Sequence, residues 1–169
     1  MRVFHVQPGA VNESAGLPMV LPPRGFLWVA CGRREFELEH GNIQAALQVM
    51  CGTTLVDLHV SDLLNNQLPS HYDYTSQYDL LVFRRLAAGQ AEADLGQPGA
   101  VLTEPVRRGG PPVLRRIDTS PVGFAVFDRV LLTVHPASCG VLDQYSARLL
   151  ASAANTARTV GAGLPASPA

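Results

Sequence analysis

Asp57, His59 and Asp62 fall within six positions, and Asp73 and Asp79 follow after a polar turn stopped by Pro69. If a helix begins near His59, then His59 and Asp62 are i, i+3 neighbours on one face. A carboxylate there is a hard ligand of the kind Mg2+ uses, because that ion takes a few oxygens and keeps several waters. The alternative is that Asp57 and Asp62 are ordinary capping and surface acids, which a helix N-terminus favours. Spacing alone favours this second reading. Tyr72, Tyr74 and Tyr78 interleave with these acids. A tyrosine offers a rigid apolar body with a polar tip, suited either to a binding face or to packing one face of a strand.

Catalytic chemistry finds little support. The histidines are His5, His40, His59, His71 and His135, and no HxxxH, HExxH or HxExxH spacing links them. The chain also lacks a GxSxG elbow, a P-loop and a GxGxxG turn. Ser138-Cys139 before a helix could present a thiolate at a helix N-terminus, with His135 close by in sequence. A small cysteine-dependent enzyme built on Cys139 and His135 therefore stands as a rival reading. It requires a cleft that unites the two residues.

The remaining composition narrows the classes. A chain of 169 residues is long enough to bury one sizeable core, and apolar residues make up 47% of it, so it is not a disordered protein. The net charge of -1 gives no general attraction for nucleic acid or anionic lipid. Every cation is Arg and Lys is absent. The arginine pairs Arg33-Arg34, Arg84-Arg85, Arg107-Arg108 and Arg115-Arg116 read as solvated loop and strand ends. Cys31, Cys51 and Cys139 form no CxxC pair, so buried free thiols are the simplest reading. The N-terminus has no secretory pattern. No window approaches the ~20 uninterrupted apolar residues of a membrane helix, so the chain as given is expected to be soluble.

The elements that would position these residues follow from periodicity. Met1 to Gln7 alternates as a strand, Pro8 to Arg24 is a Pro/Gly-rich connection, and Gly25 to Cys31 is a buried apolar strand. Glu35 to Met50 has helical spacing at Phe36, Leu38, Ile43, Ala46, Leu47 and Met50, with a stop at Cys51-Gly52. Gly41-Asn42 weakens its first half and could divide it in two. A short helix from about Val60 to Asn65, capped by Ser61 or His59, ends before Pro69. Leu80 to Leu86 reads as a strand after the polar, aromatic stretch Tyr72 to Tyr78. Ala87 to Pro112 reads as a long loop with an edge strand near Ala100 to Thr103. Strands follow at Val113 to Asp118, Val122 to Phe127 and Val130 to His135, the last two joined by the two-residue turn Asp128-Arg129. Val141 to Ala157 is helical. The fold class is α+β, a three-layer α/β/α arrangement with a mixed, largely antiparallel sheet flanked by helices. Residues 1–160 form a single domain, and 161–169 a flexible tail.

Three segments in order resemble the cytoplasmic domain of the CorA family of magnesium and cobalt transporters, which includes the ZntB-type zinc transporters. Phe26-Leu27-Trp28-Val29 resembles the family's Trp-bearing strand before a helix. Leu58 to Pro69 resembles its stretch containing E-D-I-L and then Q-R-P-K. Tyr72 with Tyr78-Asp79-Leu80-Leu81-Val82-Phe83 resembles its aromatic strand. Farther on, Phe127 to His135 is similar to a hairpin ending in T-V-H, and Leu142-Asp143-Gln144-Tyr145 opens the helix that follows. The series runs from about Phe26 to Leu150. Two departures stand out. Q-R-P-K is Gln67-Leu68-Pro69-Ser70 here, and the E-D pair is Ser61-Asp62, so Asp62 alone carries over as a metal residue.

The resemblance implies the cytoplasmic regulatory domain of a divalent-cation transporter, for Mg2+, Co2+ or Zn2+, on the cytoplasmic side of the cell membrane. It also implies a homo-pentamer, with a regulatory Mg2+ or other divalent cation bridging carboxylates of adjacent subunits and favouring a closed arrangement. The stalk helix, membrane helices and Gly-Met-Asn pore motif do not occur in these residues. Ser167-Pro168 reads as an N-cap followed by Pro at a first helical position, so the expectation is that the chain stops just before the family's next helix. The rival to a transporter domain is a stand-alone soluble metal- or ligand-binding domain.

Overall fold

The computed structural model describes residues 1–14, 16–86, 119–137 and 139–156. The chain runs β1 (Arg2–Gln7), β2 (Ala10–Ser14), β3 (Phe26–Gly32), α1 (Arg33–Cys51), α2 (Asp57–Leu64), β4 (His71–Tyr74), β5 (Tyr78–Leu86), β6 (Thr119–Phe127), β7 (Val130–His135) and α3 (Gly140–Thr156). The strands form one seven-stranded sheet in the order β2-β1-β3-β7-β6-β5-β4. Among the described strands only β3 and β7 run parallel; every other neighbouring pair is antiparallel.

Alternation in the strands builds three layers. Leu27, Val29 and Cys31 of β3 join Phe36, Ile43 and Leu47 of α1 and Leu63 of α2 in one core. Phe26, Trp28 and Ala30 face the other way, with Phe4, Val6 and Leu149 of α3. A strand buried on both faces reads as a continuous apolar run, which is why Gly25 to Cys31 is legible from sequence. The indole N–H of Trp28 donates to Thr133 Oγ1 at 3.0 Å, so this large ring is buried without an orphaned donor. Gly25 has φ +81, and a Cβ there would meet the Val6 carbonyl oxygen at 1.9 Å. Only glycine brings the chain so close to β1 on its way into β3. Arg129 holds the same corner by donating to the carbonyls of Gly25 and Pro22.

Several elements differ from the sequence expectation. The connection after Gln7 contains β2, paired with β1 through the two-residue loop Pro8-Gly9. Its segment AVNES is mostly polar because it is an edge with one face in solvent. Helix α1 is continuous through Gly41-Asn42, because Phe36 and Ile43 dock both halves on the same sheet face. Leu38 is exposed rather than packed. Helix α2 begins at Asp57, and its N-cap is Val56, not Ser61 or His59. The aromatic stretch is a separate strand, β4, paired with β5 from His71↔Val82 to Tyr74↔Asp79. Strand β6 starts at Thr119 rather than Val122. Arg84 is not a solvated strand end: its guanidinium donates to the carbonyls of Asn66, Leu68 and Thr119 and to Thr119 Oγ1. Arg33 likewise donates to the Pro121 carbonyl. The loop 87–112, the expected strands at 100–103 and 113–118, Arg107-Arg108, Arg115-Arg116, Ser138, the tail 161–169 and Ser167-Pro168 lie outside the described residues.

Candidate functional site

The seam between α2 and the β4–β5 hairpin gathers the acidic and imidazole groups. Pro69 and the Arg84 clamp fix the turn between them. A Cβ at Gly123 of β6 would come within 2.3 Å of Leu63 Cδ2, so the missing side chain lets α2 lie close on the sheet. This closeness brings His59 of α2 against Tyr78 and Asp73.

His59 is almost wholly buried, at 2% exposure. Its Nδ1 lies 2.7 Å from the Tyr78 hydroxyl and its Nε2 lies 3.1 Å from Asp73 Oδ2. The Val56 N–H, left over at the start of α2, donates to the same hydroxyl at 3.0 Å. Val56 therefore donates to Tyr78, Tyr78 to His59 Nδ1, and His59 Nε2–H to Asp73. Each group in the chain is satisfied. The His59 hydrogen bond, joined by the Tyr74 N–H, holds the Asp73 carboxyl below its usual range. Burial pushes the Tyr78 phenol up. A buried phenol harder to ionise than usual is no nucleophile, so the knot reads as a structural fastening of α2 to the hairpin.

Asp62 takes a different partner. Although i, i+3 to His59, it faces His71 of β4, whose Nε2 lies 3.5 Å from Asp62 Oδ2. Asp57 is exposed in the first turn of α2, where the helix dipole favours it. Asp79 accepts a hydrogen bond from Tyr72 at the surface. Tyr72 and Tyr74 stack on the exposed face of the sheet, whereas Tyr78 is buried against Phe127. The sequence therefore identifies Asp62 but misses His71, three positions beyond Gln67-Leu68; the only available signal was an imidazole just after the turn.

Among the described residues no group of three or more His, Cys, Asp or Glu is placed to hold a metal ion. Asp62 has one imidazole partner and no second carboxylate. That donor set does not suit Mg2+, which prefers oxygen ligands in near-ideal octahedral geometry.

Among the described residues no hydrogen bond joins the thiol and histidine of the enzyme reading. Cys139 is buried, and the His135 ring bonds the Pro136 carbonyl through Nδ1 at 2.9 Å. Burial pushes the Cys31 thiol up to about 12 and the Cys51 thiol to about 11, away from the reactive thiolate. The described residues include no helix long and apolar enough to cross a membrane.

The cytoplasmic domain of ZntB from Vibrio parahaemolyticus superposes with a TM-score of 0.54 over 88% of this chain, at 11% identity. The fold is that of a ZntB cytoplasmic domain. Full-length CmaX shares it with a TM-score of 0.53 over 89% of the chain, at 15% identity. This chain spans 48% of the first structure and 39% of the second, less than half of either. No family model matches its sequence, and neither does any curated protein. At such identities the likeness is carried by strand order and helix placement. The mixed sheet, with α1 and α2 on one face and α3 on the other, is the three-layer α+β arrangement that the sequence implies.

Proposed function

We propose that this chain is the cytoplasmic regulatory domain of a CorA-like divalent-cation transporter and conducts no ions by itself. One coincidence carries the reading. The ZntB-like fold extends over 88% of the chain, and the segments resembling the family occur in order within it, from Trp28 through α2 and β5 to β7 and α3. The net charge of -1 gives no reason to invoke nucleic acid. The partners this reading entails are further copies of the chain, as a homo-pentamer, and divalent cations. Regulation would act through subunit boundaries, where a bound cation favours one arrangement over another.

The test is transport by the polypeptide that the complete gene encodes. Reconstituted in liposomes, it is expected to admit Mg2+, Co2+ or Zn2+, and removal of residues 1–160 is expected to abolish regulation of that flux by internal cation while the pore still conducts. Absence of flux for all three ions would leave a stand-alone binding domain as the better reading.

A further inference from the structure

His135 is the last residue of β7 and pairs with Gly32, the last residue of β3, so it stands where the chain leaves the sheet for α1 on one face and for α3 on the other. Its ring is buried, at 7% exposure. Nδ1 lies 2.9 Å from the Pro136 carbonyl oxygen, an atom that only accepts, so Nδ1 carries the proton of the neutral ring and Nε2 keeps a lone pair. Among the described residues nothing hydrogen-bonds that buried nitrogen. A second proton can be added only there.

The charged groups around the ring are Glu35 of α1, Asp143 of α3 and the Met1 amine at the head of β1. Both carboxylates are already engaged. Glu35 accepts from the Met1 amine and from the Gly32 N–H, and Asp143 lies 3.7 Å from the Arg2 guanidinium. A proton on Nε2 therefore creates a buried imidazolium whose neighbouring acids are taken, and burial opposes it more strongly than those acids favour it. The two faces of this joint are unequally held. Helix α1 docks through Phe36, Ile43 and Leu47, all buried in the larger core. Helix α3 buries Leu149 and Ala153, sets Tyr145 edge-on to Trp28 at 5.6 Å, and accepts a hydrogen bond from Arg2 at Ser146. Local opening occurs where the fewest buried apolar contacts are lost.

We propose that protonation of His135 releases α3 from the sheet while the sheet and the α1–α2 layer stay folded. Release gives the imidazolium water and leaves the larger core intact. The docked state is favoured above about pH 6.5, the ordinary histidine value, and loses that advantage as pH falls toward the lower value of the buried ring. This latch does not depend on the transporter reading.

Trp28 is the single tryptophan of the chain, is buried, and touches Tyr145 of α3, so its fluorescence reports α3 docking. Between pH 7 and 5 the emission is expected to move to longer wavelength as the indole meets water. The amide protons of β3, β7 and α1 should stay protected from exchange over the same range. The fluorescence midpoint should coincide with that of the His135 ring by NMR. His135→Gln, whose side-chain amide can still donate to the Pro136 carbonyl, should abolish the shift, and His5→Gln in β1 should leave it in place. The proposal is overturned if the emission stays constant, if the shift survives His135→Gln, or if β3, β7 and α1 lose protection together with it. Should His135→Gln fail to fold, a mismatch between the Trp28 and His135 midpoints of the unaltered chain overturns it equally.

Discussion

His59 and His71 stand on the two sides of one seam, and each faces an aspartate. His59 is buried with a partner at both nitrogens, while His71 is half-exposed between two acceptors. The Tyr78 hydroxyl makes the difference. Beside His59 it both accepts and donates, so one neutral ring can satisfy everything around it. The Pro69 carbonyl beside His71 can only accept. The same kind of contact therefore fastens a helix at His59, whereas at His71 two acceptors face one partly exposed ring. His135 adds an intermediate case: it is buried, its Nδ1 is used, and its Nε2 has no hydrogen-bond partner among the described residues.

The largest expected effect comes from cutting the closed knot. His59→Ala leaves Asp73 and the Tyr78 hydroxyl without their shared partner and opens a cavity beneath α2, and should cost about 2–4 kcal/mol in denaturant unfolding. A loss below about 1 kcal/mol would mean that the knot does not fasten α2. His135 gives the next effect, through pH. Burial lowers its pKa from the ordinary 6.5, with Glu35, Asp143 and the N-terminal amine as the charged groups nearby. The unfolded chain therefore takes up this proton more readily than the folded one. The stability concerned is intact above about pH 6.5 and declines as pH falls through the lower folded value. His135→Gln should flatten the melting temperature between pH 7 and 5; an unchanged slope would exclude His135 as the cause. The smallest effect belongs to His71→Gln, within about 0.5 kcal/mol as expected for a partly exposed side chain. A larger loss would make the His71 contact structural after all and remove the contrast with His59.

Residue pattern made much of the fold legible. The apolar run ending at Cys31 reads most simply as a buried strand, and the structure buries it on both faces. The stop at Gly52 and the Asp128-Arg129 turn are local signals that the structure keeps. Elements whose stability comes from neighbours were harder to read. Strand β2 is polar and exists because β1 supplies its ladder. Helix α2 starts without a capping side chain because Tyr78, 22 positions away, takes the Val56 N–H. Arg84 looked like a surface charge because the carbonyls it binds belong to a turn 16 to 18 residues distant.

The candidate site divides in the same way. Local sequence placed His59 and Asp62 one helical turn apart and marked both as possible ligands, and periodicity determined the order of strands and helices that carry them. Tertiary structure alone decided that they part company, with His59 turned inward to Tyr78 and Asp73 and Asp62 turned toward His71. The physical reason is that helical spacing sets only which residues share a face. Which partners meet that face depends on how closely α2 lies on the sheet, and this is governed by the bare backbone of Gly123, sixty residues downstream of Leu63.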